Sequence, residues 1–491
     1  MTSLAHRATH ATLWSALEIA ARYGVQISVM VVLARLLTPA DFGMIAMLLV
    51  FTAVAALLVD SGFGTSLVQK QRTSDDDETT VFLSGLAISA LVGGALWLAA
   101  PAIAAFYSQP KLVPLTRLLV WALPLGAFAA VPDALLTQRM DFRARANAEV
   151  VASLCSGTLA VLLAWRGFGV WSLAWQSIAA IGTRAIMLWL FSHWRPRGRF
   201  SMASFRLLFG FGSYMLLSNL LNTISIRLQS LLIGKLFDSR TLGYYTLAQN
   251  TQQAPAQFMS GVLNRVGLPV FSTVANQPAK LVDALRLSLR VALFVFVPCM
   301  VGIAVAAKPL IAMAYGQRWT PAAPLLTILA FSATFWPLHV LNLAAIGAQG
   351  RSDLIFRLEV VKRIVSIGLI LASSPFGTLA IAWAVLASGL FGVFVNTWYS
   401  KRLLGYGVLA QMQDQAATLL LSVAAAAVGW LVSHWLTPPS VALAVAIVAA
   451  MATYFGGAVL GKVAAWQDLQ GLLHGLLSRN VSGTPPAGND A

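Results

Sequence analysis

Long apolar stretches follow one another along almost the whole chain, and this feature limits the possible folds more than any other. A helix needs roughly 20 apolar residues to cross the hydrocarbon core of a bilayer. Only 10% of the residues are charged, whereas soluble domains average about 25%. The apolar runs are continuous and do not alternate as the strands of a membrane barrel do. The sequence therefore predicts an all-α polytopic membrane protein.

We predict fourteen transmembrane helices from these stretches. Their approximate limits are 12–37, 43–65, 79–105, 112–136, 146–165, 169–191, 206–236, 242–270, 285–307, 320–347, 356–373, 377–400, 414–435 and 440–461. Residues 462–491 end in a run rich in Gly, Pro and Ser, which predicts a disordered cytoplasmic tail. Residues 1–11 lack a small-residue cleavage site, so we expect no cleavable signal peptide.

Lys and Arg residues are concentrated in alternate connecting segments of this topology. The segment 193–206 alone contains Arg195, Arg197, Arg199 and Arg206. Cytoplasmic segments of membrane proteins carry an excess of such residues. The pattern therefore predicts a multi-pass membrane protein with both termini in the cytoplasm. It also explains the net charge of +16 without nucleic-acid binding, because basic segments contact anionic lipid.

Two sequence matches at similar offsets indicate an internal repeat. Residues 33–43 (LARLLTPADFG) align with 233–243 (IGKLFDSRTLG), and residues 167–175 align with 375–383. Each match is short, but the two occur in the same order at offsets of 200 and 208. Because six spans separate the copies, we expect both copies to have the same orientation in the membrane.

The repeat predicts a domain organisation. An N-terminal six-helix bundle covers residues 1–192, a cytoplasmic linker covers 193–205, and a second six-helix bundle covers 206–400. Residues 401–461 then form two additional helices, the thirteenth and fourteenth spans. We expect a pseudo-two-fold axis along the membrane normal to relate the two bundles. Such a pair encloses a cavity and suits alternating access, in which one bundle rocks against the other.

Polar residues at helical spacing inside the predicted spans outline a candidate substrate cavity. Amides and hydroxyls hydrogen bond to sugars, and Arg is suited to bidentate contact with phosphate. We therefore predict a site for a phosphate-bearing glycan. The candidate residues are Glu18, Arg22, Gln26, Asn222, Arg227, Gln229, Gln249, Asn250, Gln253, His339 and Asn342. Two alternatives stay open: Glu18 and Arg22 form a purely structural ion pair, and the amide stripes join neighbouring helices.

Other ionisable residues have structural interpretations. Glu359 lies near Lys362 and Arg363, which favours a salt bridge over a role in ion coupling. Asp133 lies near the end of a predicted span, where a structural role is expected. Arg184 is expected to extend toward the cytoplasmic surface.

The remaining motifs do not indicate catalysis. Ser74, followed three residues later by Asp77, predicts a helix cap. Cys155 and Cys299 lie in separate apolar runs and are expected to be packing residues. The sequence contains no phosphate-binding loop, nucleophile motif or metal-ligand spacing. We therefore expect a protein that is not an enzyme and needs no cofactor or metal.

Residues 33–43, 60–69 (DSGFGTSLVQ) and 242–250 (LGYYTLAQN) resemble the bacterial polysaccharide exporters. These are the lipid-linked oligosaccharide flippases of the multidrug/oligosaccharidyl-lipid/polysaccharide superfamily. The resemblance extends over essentially the whole chain, and the branch that includes exporters of colanic acid is the most similar. It implies transfer of an undecaprenyl-pyrophosphate-linked repeat unit to the periplasmic leaflet, through a V-shaped two-bundle cavity with a cationic lining. Arg22 and Arg227 fit that lining best.

The resemblance also implies partners and leaves alternatives. Ion gradients or the membrane potential are expected to drive transport, and no residue decides between H+ and Na+. Membrane lipids and the polysaccharide polymerase machinery are expected partners. One alternative is a multidrug or toxin antiporter of the same superfamily, which would need acidic cavity residues and usually twelve spans. Another is a membrane glycan polymerase or ligase, which would need a large periplasmic loop.

Overall fold

The computed structural model describes residues 24–70, 73–435 and 439–471. These residues form α-helices joined by short turns, and they contain no β-strand. Contacts divide the chain into two compact units, the first ending at Leu247 and the second beginning at Ala248. This boundary lies within one long helix and not at the predicted linker 193–205. The predicted repeat of two six-helix bundles, by contrast, stays a prediction.

The helices of the first unit come first in the chain. They are α1 (Gly24–Leu36), α2 (Pro39–Asp60), α3 (Phe63–Gln69), α4 (Asp75–Phe106), α5 (Leu112–Leu119), α6 (Ala122–Gln138), α7 (Phe142–Trp165), α8 (Val170–Ser192) and α9 (Met202–Leu236). The next helix, α10 (Ser239–Thr273), starts in the first unit and continues into the second.

The helices of the second unit follow. They are α11 (Pro278–Val305), α12 (Ala307–Ala314), α13 (Ala323–Ala333), α14 (Trp336–Ala348), α15 (Ser352–Ser373), α16 (Thr378–Leu404), α17 (Val408–Trp435), α18 (Pro439–Leu460) and a final helix, α19, over 464–471. The predicted disorder of 462–491 is therefore wrong for α19, whereas residues 472–491 lie outside the described residues.

Eleven segments of the described chain are long and apolar enough to cross a membrane. They confirm a polytopic all-α membrane protein. The three other predicted spans coincide with α1, α10 and α15. Helix α1 is short, and α10 and α15 do not qualify as apolar spans. The count of fourteen therefore stays a prediction.

The turn at residues 37–43 is held by a capping box at the start of α2. Thr38 Oγ1 accepts a hydrogen bond from the Asp41 amide at 3.3 Å, and the Asp41 carboxylate accepts one from the Thr38 amide at 2.9 Å. Pro39 occupies the first helical turn, where its missing N–H has no cost. In the repeated turn, Asp238 Oδ1 caps α10 by accepting from the Thr241 amide at 2.7 Å. The two turns are thus built alike, with different capping residues.

The same two turns meet at a crossing of glycines within the first unit. A Cβ added at Gly43 would lie 1.6 Å from the Ser239 carbonyl oxygen, and one added at Gly243 would lie 1.8 Å from the Pro39 carbonyl oxygen. No side chain larger than hydrogen fits at either position, because the backbones of α2 and α10 already touch. The repeat-matched glycines therefore let the first turns of these two helices pack directly on each other.

Residues 193–201 are fixed to the first turns of α4. The Trp194 indole donates to Glu78 at 2.6 Å, and the Arg199 amide donates to Asp76 at 2.7 Å. The Ser201 amide donates to the Thr80 hydroxyl at 2.9 Å. The acidic start of α4 thus binds this connecting segment. The predicted Ser74 cap is confirmed, because Ser74 Oγ accepts from the Asp77 amide at 3.2 Å.

The second unit has a core around α11. Leu285, Leu289 and Met300 of α11 are fully buried there. The terminal helix α19 joins a smaller cluster, in which Trp466 packs its ring 6.1 Å from Phe294. This apolar contact explains why the chain stays helical beyond the predicted last span.

Candidate functional site

The predicted cavity residues of helix 1 are only partly described. Glu18 and Arg22 lie outside the described residues, so their predicted roles stay predictions. Gln26 lies in α1 and is exposed. An exposed amide inside an apolar helix cannot be satisfied by lipid. Gln26 is therefore suited to face water or a polar ligand.

Helix α9 presents polar groups at its surface. Asn222 is exposed, Ser225 and Arg227 are half-buried, and no described carboxylate forms a salt bridge with Arg227. Ionisable residues in membrane spans usually face a bundle interior or a wet cavity. Arg227 thus offers a planar fork of N–H donors that fits a phosphate or carboxylate.

Gln229 lies two residues after Arg227 on α9 and has a different environment. The Tyr245 hydroxyl donates to Gln229 Oε1 at 2.6 Å. Tyr245 is fully buried, and its hydroxyl needs this acceptor. The carbonyl oxygen of Gln229 is therefore committed to joining α9 to α10 inside the first unit.

The amide-rich stripe of α10 is accessible in part. Gln249 and Gln253 are half-buried and Asn250 is exposed. Nearby, Thr251 shares a hydrogen bond with the Tyr315 hydroxyl at 3.0 Å. Tyr315 lies outside the predicted spans, and burial raises the pKa of its phenol, which keeps the hydroxyl neutral. The stripe therefore carries both accessible amides and one fixed polar contact.

Asn342 lies in a closed polar network. It is fully buried, and its Oδ1 accepts from Ser400 Oγ at 2.6 Å and from Gln411 Nε2 at 2.9 Å. Its Nδ2 donates to Gln411 Oε1 at 3.0 Å and to the Leu338 carbonyl at 2.8 Å. With both polar atoms occupied, Asn342 has no capacity left for a ligand, and we assign it to joining α14, α16 and α17.

His339 lies one helical turn before Asn342 and borders a charged pair. Its Nδ1 is 3.4 Å from Asn396 Nδ2. The charged pair is Glu359 and Lys362, whose Oε1 and Nζ atoms are 2.5 Å apart. The predicted salt bridge of Glu359 is therefore confirmed, and Arg363 lies 3.9 Å from the same carboxylate.

Arg184 joins an ion-pair cluster in the first unit. Its guanidinium is 3.1 Å from Asp133 and 3.2 Å from Glu149, and Arg145 also contacts Asp133 at 2.8 Å. The expectation that Arg184 extends toward the cytoplasmic surface did not include these partners. The structural role expected for Asp133 agrees with the cluster.

A buried polar stripe on α17 was not predicted. Gln411, Gln415, Thr418 and Ser422 follow helical spacing, and each is at most 2% exposed. At the start of the helix, Asp414 accepts from Arg286 Nε at 2.8 Å and from the Tyr406 hydroxyl at 2.7 Å. Burial, followed by the hydrogen bond to Asp414, raises the pKa of Tyr406. The spacing was visible in the sequence, but nothing there distinguished a buried stripe from an accessible one.

These arrangements are suited to binding a polar ligand. Among the described residues, no group of three or more His, Cys, Asp or Glu side chains is placed to hold a metal ion. The accessible polar groups are amides and one guanidinium, which can replace the water of a sugar or a phosphate. We therefore describe two candidate ligand-binding surfaces. One is the accessible surface of α1 and α9 in the first unit, and the other is the accessible part of α10 in the second unit.

Comparison with known proteins identifies the family of this chain. A sequence family described as "Polysaccharide biosynthesis protein" matches residues 32–324, more than half of the chain. The succinoglycan biosynthesis transport protein ExoT of Rhizobium meliloti is 26% identical over 77% of this chain and 77% of its own length. The lipopolysaccharide biosynthesis protein WzxC of Escherichia coli is 25% identical over 80% of each chain.

Solved structures show the same fold. The lipid II flippase MurJ in an inward closed conformation aligns with a TM-score of 0.74 at 13% identity, covering 94% of this chain and 98% of that chain. An inward-facing multidrug resistance MATE transporter of the MOP superfamily aligns with a TM-score of 0.62 at 14% identity, covering 78% and 94%. The all-α membrane fold expected from the sequence is thus the fold of these two solved structures.

Proposed function

This chain belongs to the polysaccharide biosynthesis protein family, and on that basis we propose that it is a flippase for a lipid-linked oligosaccharide. Its cargo would be an undecaprenyl-pyrophosphate-linked repeat unit, moved from the cytoplasmic to the periplasmic leaflet of the inner membrane. The product would serve exopolysaccharide, capsule or O-antigen assembly. The observation that carries the proposal is the family match over residues 32–324, together with the name of the relative ExoT, a succinoglycan biosynthesis transport protein.

Physical chemistry requires a protein for this step. A pyrophosphate and a glycan would each lose their hydration in hydrocarbon, at a large cost in free energy. Accessible amides and a guanidinium inside apolar helices replace that hydration. Arg227, half-buried and without a salt bridge to a described carboxylate, suits the pyrophosphate. Asn222, Gln249 and Gln253 suit sugar hydroxyls.

The topology and energetics of the proposal follow from the charge pattern. Both termini lie in the cytoplasm, because the basic segments alternate in that sense. Alternating access moves the headgroup, and an ion gradient or the membrane potential supplies the driving force. The protein acts as a transporter without catalysis or a cofactor, and it delivers its cargo to a polymerase in the periplasm.

A multidrug antiporter is the second candidate, because the MATE transporter shares the fold. Such a protein would need a carboxylate that is free to bind a cationic drug. Within the described helices, Asp133, Glu149, Glu359 and Asp414 each contact an Arg or Lys, and Asp60 accepts backbone hydrogen bonds from Gly62 and Gly64. A glycan polymerase or ligase is less compatible, because the relative ExoT, named as a transport protein, aligns with 77% of the chain.

Deletion of the gene tests the proposal directly. Lipid extracts of the deletion strain should accumulate an undecaprenyl-linked oligosaccharide that mass spectrometry identifies, and the wild-type gene should remove it. The control is efflux of a cationic dye, which should be unchanged. A strain that accumulates no such lipid but exports dye more slowly would support the antiporter instead.

Arg227 provides a test of the ligand-binding surface. A charge-assisted hydrogen bond contributes about 1.5–3 kcal/mol, so Arg227→Ala should lower export roughly tenfold to a hundredfold at matched expression. Arg227→Lys should be intermediate, because Lys keeps the charge and loses the bidentate geometry. Ser225→Ala, on the same helix, is the matched control and should export normally. Normal export by Arg227→Ala would remove Arg227 from the substrate path.

A further inference from the structure

The second unit contains an unusual pairing of a histidine with an incompletely bonded amide. Asn396 of α16 is fully buried, and its Oδ1 has no hydrogen-bond partner among the described residues. Its Nδ2 lies 3.4 Å from His339 Nδ1. A buried amide oxygen without a donor costs free energy. The site therefore holds an acceptor that the neutral form of His339 does not use.

Protonation of His339 would satisfy that acceptor. An imidazolium has two N–H donors, whereas neutral imidazole has one. The ring already makes a backbone hydrogen bond with Gly389. A half-turn of the Asn396 amide would place Oδ1 where Nδ2 now lies, within reach of His339 Nδ1. The second donor created by protonation would then meet an acceptor that is already present.

Gly392 makes room for this site. A Cβ added at Gly392 would lie 2.7 Å from His339 Cε1 and 3.2 Å from Lys362 Cδ. The absent side chain thus lets the imidazole and the Lys362 stem pack against the same point of α16. Gly389, one turn earlier, has no such tightness, since its added Cβ would lie 3.4 Å from Ser332 Oγ.

The charges around His339 are nearly balanced. Lys362 and Glu359 of α15 face it and pair with each other, and Arg363 lies on the far side of that carboxylate. Helix α16 contributes the uncharged Asn396, and its Lys401 and Arg402 lie in the last turn of the helix. Helix α11 carries Lys280 and Asp283 near its start, and its Arg286 and Arg290 contact Asp414 of α17 and Asp468. Helices α13 and α14 contribute no other charge. A single proton would therefore change the local charge sharply.

We propose that His339 and Asn396 form a proton-binding site of the second unit, adjusted by the Glu359–Lys362 pair, which takes up and releases one proton during transport. The proton comes from a hydronium ion, whose O–H bond breaks as one N–H bond forms at the ring nitrogen that carried no hydrogen. Histidine is the side chain that changes charge between about pH 5 and pH 8. A charge change inside an apolar bundle shifts the equilibrium between conformations. The proposal rests on the proposed flippase function for its link to transport, but not for the site itself.

The proton-binding site can be tested without a transport assay. The ¹⁵N signals of the histidine rings are followed as a function of pH in the full-length protein in lipid nanodiscs. The chain has six histidines, so selective ¹⁵N labelling gives few signals, and His339→Gln identifies that of His339. We expect this ring to show a single titration midpoint, below which it holds the added proton. Lys362→Met removes a like charge and should move the midpoint upward by about one pH unit, whereas Glu359→Gln should move it downward. A titration midpoint of His339 that is the same in both variants as in wild type would overturn the proposal.

Two glycine variants separate a site effect from misfolding. Gly392→Ala should displace the imidazole and shift or abolish the titration, because its Cβ would overlap the ring. Gly368→Ala on α15, where nothing lies within 4 Å of the added Cβ, is the control and should titrate as wild type. Both variants should show cooperative thermal unfolding. Equal titration curves for the two would contradict the role assigned to the space at Gly392.

The transport link is tested by lipid-linked oligosaccharide translocation in vesicles across the same pH range. Wild-type transport should change with the His339 titration, and His339→Gln should lose this pH dependence. His193→Gln, an exposed histidine after α8, should keep it. If wild type moves no lipid-linked oligosaccharide while His339 still titrates as expected, the flippase function fails and the proton site stands. A pH profile unchanged by His339→Gln would refute the coupling.

Discussion

The glycine crossing between α2 and α10 makes the strongest stability prediction. An added Cβ at Gly43 would lie 1.6 Å from a carbonyl oxygen, and an ordinary van der Waals contact begins at about 3.4 Å. The helices would therefore have to separate by nearly 2 Å where backbone touches backbone, with no flexible side chain to yield. Overpacking of a closed core costs about 1–3 kcal/mol and occasionally more. We expect Gly43→Ala and Gly243→Ala each to cost about 3 kcal/mol.

A double-mutant cycle makes this prediction specific. Once one substitution has separated the two turns, the second meets a gap that is already open, so the double variant should be less destabilised than the two single effects added together. Thermal unfolding of purified protein in detergent, followed by the fluorescence of a fused reporter, measures all four proteins. The matched control is Gly94→Ala in α4, where nothing lies within 4 Å of the added Cβ. Melting of both single variants within about one degree of wild type would refute a closed backbone crossing.

Three smaller effects can be measured in the same unfolding assay. Thr38→Ala removes the capping box of α2 and should cost about 1 kcal/mol; an unchanged melting temperature would mean that the cap is dispensable. Asn342→Ala should cost about 1–3 kcal/mol, since it removes the hydrogen bonds that the buried Ser400 and Gln411 side chains make with Asn342, and an unchanged melting temperature would contradict the assigned role. Trp466→Ala should destabilise by about 3 kcal/mol or less through lost packing on α18 and α11, unless α19 contributes nothing to the folded state.

The positions of most helices could be predicted because hydropathy and length are local properties. A run such as Ala40–Val59 must be helical in a membrane whatever its neighbours. The Ser74 cap was predictable for the same reason, since Ser-x-x-Asp satisfies its own backbone donors. Helices α10 and α15 are less apolar, and their polar residues find partners: Tyr245 of α10 bonds to Gln229 of α9, and Glu359 of α15 pairs with Lys362 on the same helix. Their helical state was recognised from length and spacing, but hydropathy alone would have missed it.

Contacts between distant residues could not be predicted from local patterns. Nothing in the sequence indicates that the linker 193–201 binds the first turns of α4, or that this binding keeps α9 with the first unit. The position of the boundary after Leu247 depends on packing of α9 on α2, α3 and α4. The proximity of His339 and Lys362 likewise depends on a missing Cβ at Gly392, which lies on a third helix.

The amide-rich helices show why candidate sites needed the structure. Asn222 of α9 and Gln411 of α17 both lie on polar stripes at helical spacing, yet Asn222 is exposed and Gln411 is fully buried. The difference comes from the neighbours. Gln411 meets Asn342, which offers a matching donor and acceptor, so the pair is stable without water. A polar residue that must bind a passing headgroup cannot be satisfied in this way, because its donors would have to be freed in every cycle. We therefore restrict the ligand-binding proposal within the described chain to residues that keep accessible polar atoms, namely Gln26, Asn222, Arg227, Gln249, Asn250 and Gln253.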